Sequence, residues 1–286
     1  MVKFYGYKNN HMEENMTDRK YVISLYDYTG EALKPWAEAG YHCFAYDIQH
    51  DEPVEECTNI ESFDSGGSIS YCYADLHNIG TLDKIFDYFE TIRRDHGTDN
   101  RVHFAMAFPV CTDMAVSGAA HFKRKRERDP LFQRKAANYA IWCAELFDAL
   151  DCPYFIENPV SVLSTLWRKP DYSFHPYEYG GYIDPEQAEH PKWPDYIAPL
   201  DAYPKKTCLW TSDDFTMPDK SPVEPETGHS RQHLKLGGKS MKTKNIRSAT
   251  PRGFAQAVFN SNNSTMQSLL GEYKQRGDKH VCNTCN

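Results

Sequence analysis

The chain has 286 residues, 40% of them hydrophobic and 25% charged, a balance that excludes a disordered polyelectrolyte and suits one or two folded domains. No apolar run approaches the ~20 residues that span a bilayer, and the N-terminal stretch is polar, so neither membrane insertion nor secretion is expected. Nine scattered cysteines do not read as a disulfide framework, and a reducing cytoplasm is the expected setting.

The net charge of −8 is unevenly spread. Residues 121–135 carry +5 and residues 228–253 carry +7, which leaves −20 on the other 245. Two basic segments on an acidic body fit a protein that meets a polyanion on one side; solvated loops would give the same pattern.

In chain order, residues 21–26 (YVISLY) form the first strand candidate, followed by the Tyr28-Thr29-Gly30 turn and a helix over 31–39. Residues 41–47 and 69–74 read as the second and third strands, with a helix at about 81–95 whose Leu82, Ile85, Phe86 and Phe89 share a face. A fourth strand follows over 102–108, then a long helix over 130–150 that starts at Pro130, then a fifth strand at 153–156. Near-continuous apolar strands alternating with helices predict a parallel sheet covered on both faces.

Beyond residue 175 the composition changes: nine of the 17 prolines lie between Pro176 and Pro225, among many aromatics. Four segments are expected: an α/β core over 1–170, an irregular insertion over 171–245, a returning helix within 246–275, and a polar tail over 276–286. Residues 207–210 (TCLW) are placed back in the sheet, and the returning helix is expected to have Thr250 as N-cap and Pro251 at its first position. Cys282-x-x-Cys285 in the tail is half a zinc pattern at most, and free thiols are the expectation.

Parallel sheets bind ligands beyond the carboxyl ends of their strands. Those ends offer Asp27, Thr29 and Gly30 after the first strand, Asp47 after the second and Asp75 after the third. The fourth is followed by Pro109-Val110-Cys111-Thr112 and the fifth by Glu157-Asn158-Pro159. An acid after the second strand suits ribose hydroxyls, and one after the third suits an exocyclic amine. Gly30 would let the backbone approach a ligand closely. There is neither a G-x-G-x-x-G run nor a Walker lysine, so a nucleoside without a phosphate chain fits best. Cys111 is expected to be partly exposed and close to the basic run, which would lower its pKa. A thiol with a carboxyl group on the neighbouring strand end is the pair needed to add sulfur across the carbon-five/carbon-six bond of a pyrimidine.

Several blocks carry a family resemblance: YDYTGEALKPWAEAGYHCFAYDIQH, AFPVCTDMAVSGAAHF, IENPVSVLSTLWRKPDYSFHPYEYGG, KKTCLW and LGGKSMKTKNIRSATPRGFAQAVF. From about residue 21 to 260 the chain resembles DNA methyltransferase-like proteins of bacteriophages, and through Pro109/Cys111 and Glu157-Asn158 it resembles cytosine-5 DNA methyltransferases. It departs from the wider family in its first loop, in Pro-Val-Cys for Pro-Cys, in Glu-Asn-Pro for Glu-Asn-Val, and in lacking a recognisable Gln-x-Arg-x-Arg motif, for which Arg168 and Arg231 are weak stand-ins.

The resemblance implies a Rossmann-like S-adenosylmethionine-dependent methyltransferase fold, with the cofactor and catalytic residues in the 1–170 core and target recognition by the 171–245 insertion. Asp27, Thr29, Gly30, Asp47, Asp75 and Pro109 would hold the cofactor. Cys111 would be the nucleophile, with Glu157 and Asn158 completing the catalytic set. Double-stranded DNA is the implied partner, in a bacterial host cytoplasm if the gene is viral, with no membrane, metal or obligate protein partner. Ser117, Lys123, Arg124, Arg126, Arg168, Arg231 and Arg247 are the candidate DNA contacts, with the loop after Cys111 closing over phosphates. Two alternatives stand beside this reading: an exocyclic-amine methyltransferase using Asn158-Pro159-Val160-Ser161, and a non-catalytic protein that binds DNA or a host factor on the same scaffold.

Overall fold

The computed structural model describes residues 19–97, 100–228, 230–237 and 240–263. The Cys282/Cys285 pair and the polar tail lie outside the described residues.

Eight strands form one sheet: β1 (Tyr21–Leu25), β2 (His42–Asp47), β3 (Ile60–Ser62), β4 (Ser68–Tyr73), β5 (Val102–Ala107), β6 (Tyr154–Pro159), β7 (Tyr172–Phe174) and β8 (Thr207–Thr211). The spatial order is β3-β4-β2-β1-β5-β6-β8-β7. Strands β4, β2, β1, β5 and β6 run parallel, while β8 lies antiparallel to both β6 and β7, and β3 antiparallel to β4. The chain moves outward from β1 through β2 to β4 and then crosses back to β5 on the other side of β1. That reversal is the switch point at which open α/β sheets bind ligands.

Every residue of β1 is buried, as expected of a strand covered on both faces. Tyr21, Ile23 and Leu25 join Phe44, Tyr46, Ala107 and Ile156 under α2 (Ile79–His96) and α4 (Phe132–Ala149). Val22, Ala45, Phe104, Met106 and Phe155 face α1 (Lys34–Glu38) and α8 (Arg252–Asn262). Trp36 of α1 stacks on Phe104 at 4.9 Å between ring centroids, and Phe254 of α8 on Phe174 of β7 at 3.9 Å. The register between β1 and β5 shifts at Tyr21/Val22, which lets Val102 and Ala105 face the same side although they are three residues apart.

Local chemistry explains the helix ends. Asn78 caps α2 by accepting from Gly80 N, Gly97 ends it at φ +99, and Arg93, Arg94 and His96 sit at its negative pole. The long helix starts at Phe132 instead of Pro130, because Asp129 accepts from Leu131 N at 3.0 Å and fixes the turn before it. Pro251 is the N-cap of α8 and Arg252 its first residue, one position later than the sequence predicts.

The proline-rich stretch is irregular, as its composition predicts, with 3-10 turns at Pro176–Tyr182, Pro185–Gln187 and Pro199–Asp201. It is not separate from the core. Both β7 and β8 belong to the main sheet, and a Cβ on Gly253 of α8 would lie only 2.2 Å from the carbonyl oxygen of Tyr179. The segment 228–253 folds into α6 (Arg231–Lys235), α7 (Met241–Ser248) and the start of α8, with Leu236, Ile246 and Ala249 packed on Ile197 and Tyr203. Among the described residues no helix is long and apolar enough to cross a membrane.

Candidate functional site

The carboxyl ends of β5 and β6 lie side by side, because Ala105, Met106 and Ala107 pair with Tyr154, Phe155 and Ile156. Cys111 follows the end of β5, whereas Glu157 lies within β6: the strand runs on through Asn158 and Pro159 instead of stopping at 156, because β8 pairs with it there, Glu157 opposite Leu209. Asn158 is buried and donates from Nδ2 to the carbonyl of Pro109 at 3.0 Å. Farther out, Val162 N donates to Met114 O and Val116 N to Val160 O, both at 3.1 Å, around an antiparallel bridge between Ala115 and Ser161. Backbone bonds thus hold the start of the loop after Cys111 against the segment that follows β6. Residues Val116–His121 form a 3-10 turn, and the basic run is helix α3 (Phe122–Arg128).

Glu157 falls on the same sheet face as Phe155, toward α7 and α8. Its carboxyl is buried, and Oε1 has no hydrogen-bond partner among the described residues. Phe108, Phe174, Thr207, Phe254 and Lys205 line the cavity with it, closed by the turn from Ser248 to Pro251. Burial pushes the Glu157 pKa up, against the pull of the Lys205 ammonium. Cys111 is half-buried. Burial, and then the charge of Glu157, push its thiol up, with Lys205 again opposing. The expected lowering of the Cys111 pKa is therefore corrected: α3 does not supply the compensating charge, and desolvation outweighs the lysine.

Sequence reasoning missed Lys205. Its Nζ donates to the carbonyl of Arg247 at 2.9 Å. The block KKTCLW was legible as a strand preceded by two lysines. The antiparallel direction of β8 was not, and only that direction starts the strand at the carboxyl edge, where Thr207 faces Pro159.

At the ends of β1, β2 and β4 the predicted residues divide. The Asp27 carboxylate is consumed within its own loop, accepting from Ser24 Oγ at 2.8 Å, Thr29 N at 3.0 Å and Gly30 N at 2.8 Å. Gly30 has φ +67, but a Cβ there would lie 2.7 Å from the Tyr71 hydroxyl. Its missing side chain makes room for Tyr71, which corrects the expectation that a ligand uses that space. Thr29 lends its carbonyl to Lys192 at 3.4 Å, and Lys192 also pairs with buried Glu31 at 3.2 Å.

Asp47 Oδ1 accepts from Gln49 N and Nε2 at 2.9 and 3.1 Å. Asp75 Oδ1 accepts from His77 N at 3.2 Å. The half-exposed Tyr28 ring stacks on His50 at 5.5 Å. Asp47 and Asp75 present acceptors at two strand ends and Tyr28 an open ring face, groups of the kind that hydroxyls, an amine and a base of a nucleoside can engage.

Of the predicted DNA contacts, Ser117, Lys123, Arg124 and Arg126 are grouped on the exposed 3-10 turn and α3, which follow Cys111 in the chain. Lys125 anchors that helix to Thr112 O at 3.3 Å and to Asp113. The structure does not bring Arg168 there. It donates to Thr211 O at 2.9 Å, and Thr211 pairs with Phe155 at the amino edge, the opposite end of the sheet. Arg231 is spent on Glu226 at 2.6 Å and on Pro194 O at 2.9 Å, and Arg247 on Leu236 O at 2.7 Å. These three are structural clamps in this conformation.

No protein-family model matches the chain, and no curated protein matches its sequence.

Proposed function

We propose that the protein is an S-adenosylmethionine-dependent DNA methyltransferase acting on carbon five of cytosine. One observation carries the reading: the loop with a half-buried thiol and the strand with a carboxyl whose buried Oε1 lacks a hydrogen-bond partner among the described residues are neighbours, joined by the bond from Asn158 to the Pro109 carbonyl. A cytosine must leave the duplex to reach such a site, since its ring carbons are covered when stacked.

Cys111 first gives up its thiol proton to solvent, and the thiolate adds to carbon six. Glu157, whose proton burial holds more tightly, donates it to ring nitrogen three, so that the electrons driven off carbon six are held at carbon five. The cofactor, when bound, supplies an electrophilic methyl group to that carbon, and Asp47 and Asp75 are the residues suited to its ribose and adenine. Loss of the carbon-five proton to solvent then re-forms the carbon-five/carbon-six double bond and expels the Cys111 sulfur as thiolate, and Glu157 recovers its proton from ring nitrogen three.

Buried Asn158, already donating to Pro109 O, acts in this scheme by holding the two loops together. The same bond disfavours the exocyclic-amine alternative, which needs that side chain at the base.

The test is incubation with labelled cofactor and duplex DNA, followed by base-resolution sequencing and nucleoside mass spectrometry. 5-Methylcytosine is expected with the wild type and none with Cys111→Ala, while cofactor binding survives. Label on an exocyclic nitrogen, or full activity of the alanine variant, overturns the reading.

A further inference from the structure

The carboxylate that ends β2 is oriented by a residue 196 positions farther along the chain than its immediate partner. A carboxylate only accepts hydrogen bonds, so the Gln49 amide must meet Asp47 through nitrogen. Its Nε2 donates to Asp47 Oδ1 at 3.1 Å, beside the Gln49 backbone N–H at 2.9 Å. The carbonyl end of the amide then needs a donor of its own, and Asn245 Nδ2 supplies it, donating to Gln49 Oε1 at 3.1 Å. A relay of three side chains thus runs from Asn245 through Gln49 to Asp47.

Asn245 belongs to α7, and packing holds that helix in place. Ser240 caps its start by accepting from Thr243 N, and Ile246 is buried with Ile197 and Tyr203. Near its end the Arg247 carbonyl accepts from Lys205 Nζ at 2.9 Å. The turn that follows, from Ser248 to Pro251, closes the Glu157 cavity. In the sheet β1 and β5 separate β2 from β6, so α7 and this turn reach both sides of the switch point. The relay occupies two of the roughly four acceptor directions of the Asp47 carboxylate and fixes its plane. Two vicinal hydroxyls that donate to one carboxylate need such a fixed plane, because both bonds must be straight at once.

We propose that Asn245, acting through Gln49, is a positioning residue that holds Asp47 in the orientation required by the diol of a nucleoside ligand. The assignment rests on the cofactor reading above. It follows from the continuous relay that joins a packed helix of the C-terminal region to the end of β2.

The experiment is calorimetry on the full chain with two probes, S-adenosylhomocysteine, which has no methyl group to transfer, and its 2′,3′-dideoxyribose analogue. Asn245→Ala is expected to weaken the first about fivefold and to leave the second within about twofold of wild type. Gln49→Ala should do the same, and the double variant should lose no more than either single one. Asn245→Asp keeps the shape but offers Gln49 only an acceptor. It should turn the amide oxygen toward Asp47 and give the same ribose-specific loss, so the test does not depend on the folding of an alanine variant. Equal losses on both probes would make Asn245 a purely structural residue and overturn the proposal. An undiminished preference for ribose in the variants, or no such preference in the wild type, also overturns it. If the wild type binds neither probe at millimolar concentration, the cofactor reading itself fails, and the positioning role falls with it.

Discussion

Asn158 donates from its side-chain amide to the carbonyl of Pro109 at 3.0 Å, across the gap between two parallel strand ends. One buried hydrogen bond thus fixes the strand end bearing Glu157 against the loop bearing Cys111. Asn158→Ala leaves the Pro109 carbonyl unpaired in a buried setting and should cost about 1–3 kcal/mol of stability. The denaturation midpoint reads this loss. Alkylation of Cys111 should also quicken as its loop loosens; an unchanged midpoint and alkylation rate would exclude the tethering role.

The raised pKa values of Glu157 and Cys111 set the expected pH dependence. The reaction needs one carboxyl proton and one thiolate, so kcat/KM should follow a bell whose limbs belong to the pair. Lys205 favours the anionic form of both groups. Lys205→Met should therefore move both limbs to higher pH, whereas Lys205→Arg should leave them close to wild type. A Met variant with reduced activity but an unmoved profile would make Lys205 a purely structural residue.

Asp201 links stability to pH. It is buried, accepts from Gly253 N at 3.1 Å in the first turn of α8, and leaves Oδ1 unpartnered. Burial raises its pKa from the ordinary 3.8 to about 6. A carboxyl that holds its proton more tightly when folded adds stability below its unfolded pKa and loses it as pH rises through the folded value. Wild-type stability from this group should therefore fall between about pH 4 and 6, by at most roughly 3 kcal/mol. Asp201→Asn keeps an acceptor and should flatten that slope, raising the melting temperature near pH 8. A slope identical to wild type would refute this account.

Gly30→Ala combines an unfavourable backbone region with a clash, since φ is +67 and the new methyl would lie 2.7 Å from the Tyr71 hydroxyl. A loss of about 1–3 kcal/mol is expected. Tyr71→Ala should recover the steric part of it, which appears as non-additivity in a double-mutant cycle. Strict additivity would deny the Gly30–Tyr71 contact.

The predicted elements and the observed ones agree where burial is strongest. Apolar runs such as YVISL and VHFAMA have a single use in a doubly covered sheet, so strands β1, β2, β4, β5 and β6 were readable without coordinates. The short edges β3 and β7 were not, because three residues carry no periodicity that distinguishes strand from loop. Helix α3 was read as a loop because its seven residues are mostly charged and have no buried face to produce a pattern.

By itself, the sequence determined the alternation of strands and helices, and placed acids, a thiol and a carboxyl at successive strand ends, since a strand end follows from where an apolar run stops. Only the tertiary structure decided how each side chain is used. It turned Asp27 and Gly30 inward, carried Arg168 to the far edge of the sheet and brought Lys205 to Glu157. Strand direction, register and competing hydrogen-bond partners come from residues distant in the chain, and these fix which polar groups remain available for chemistry.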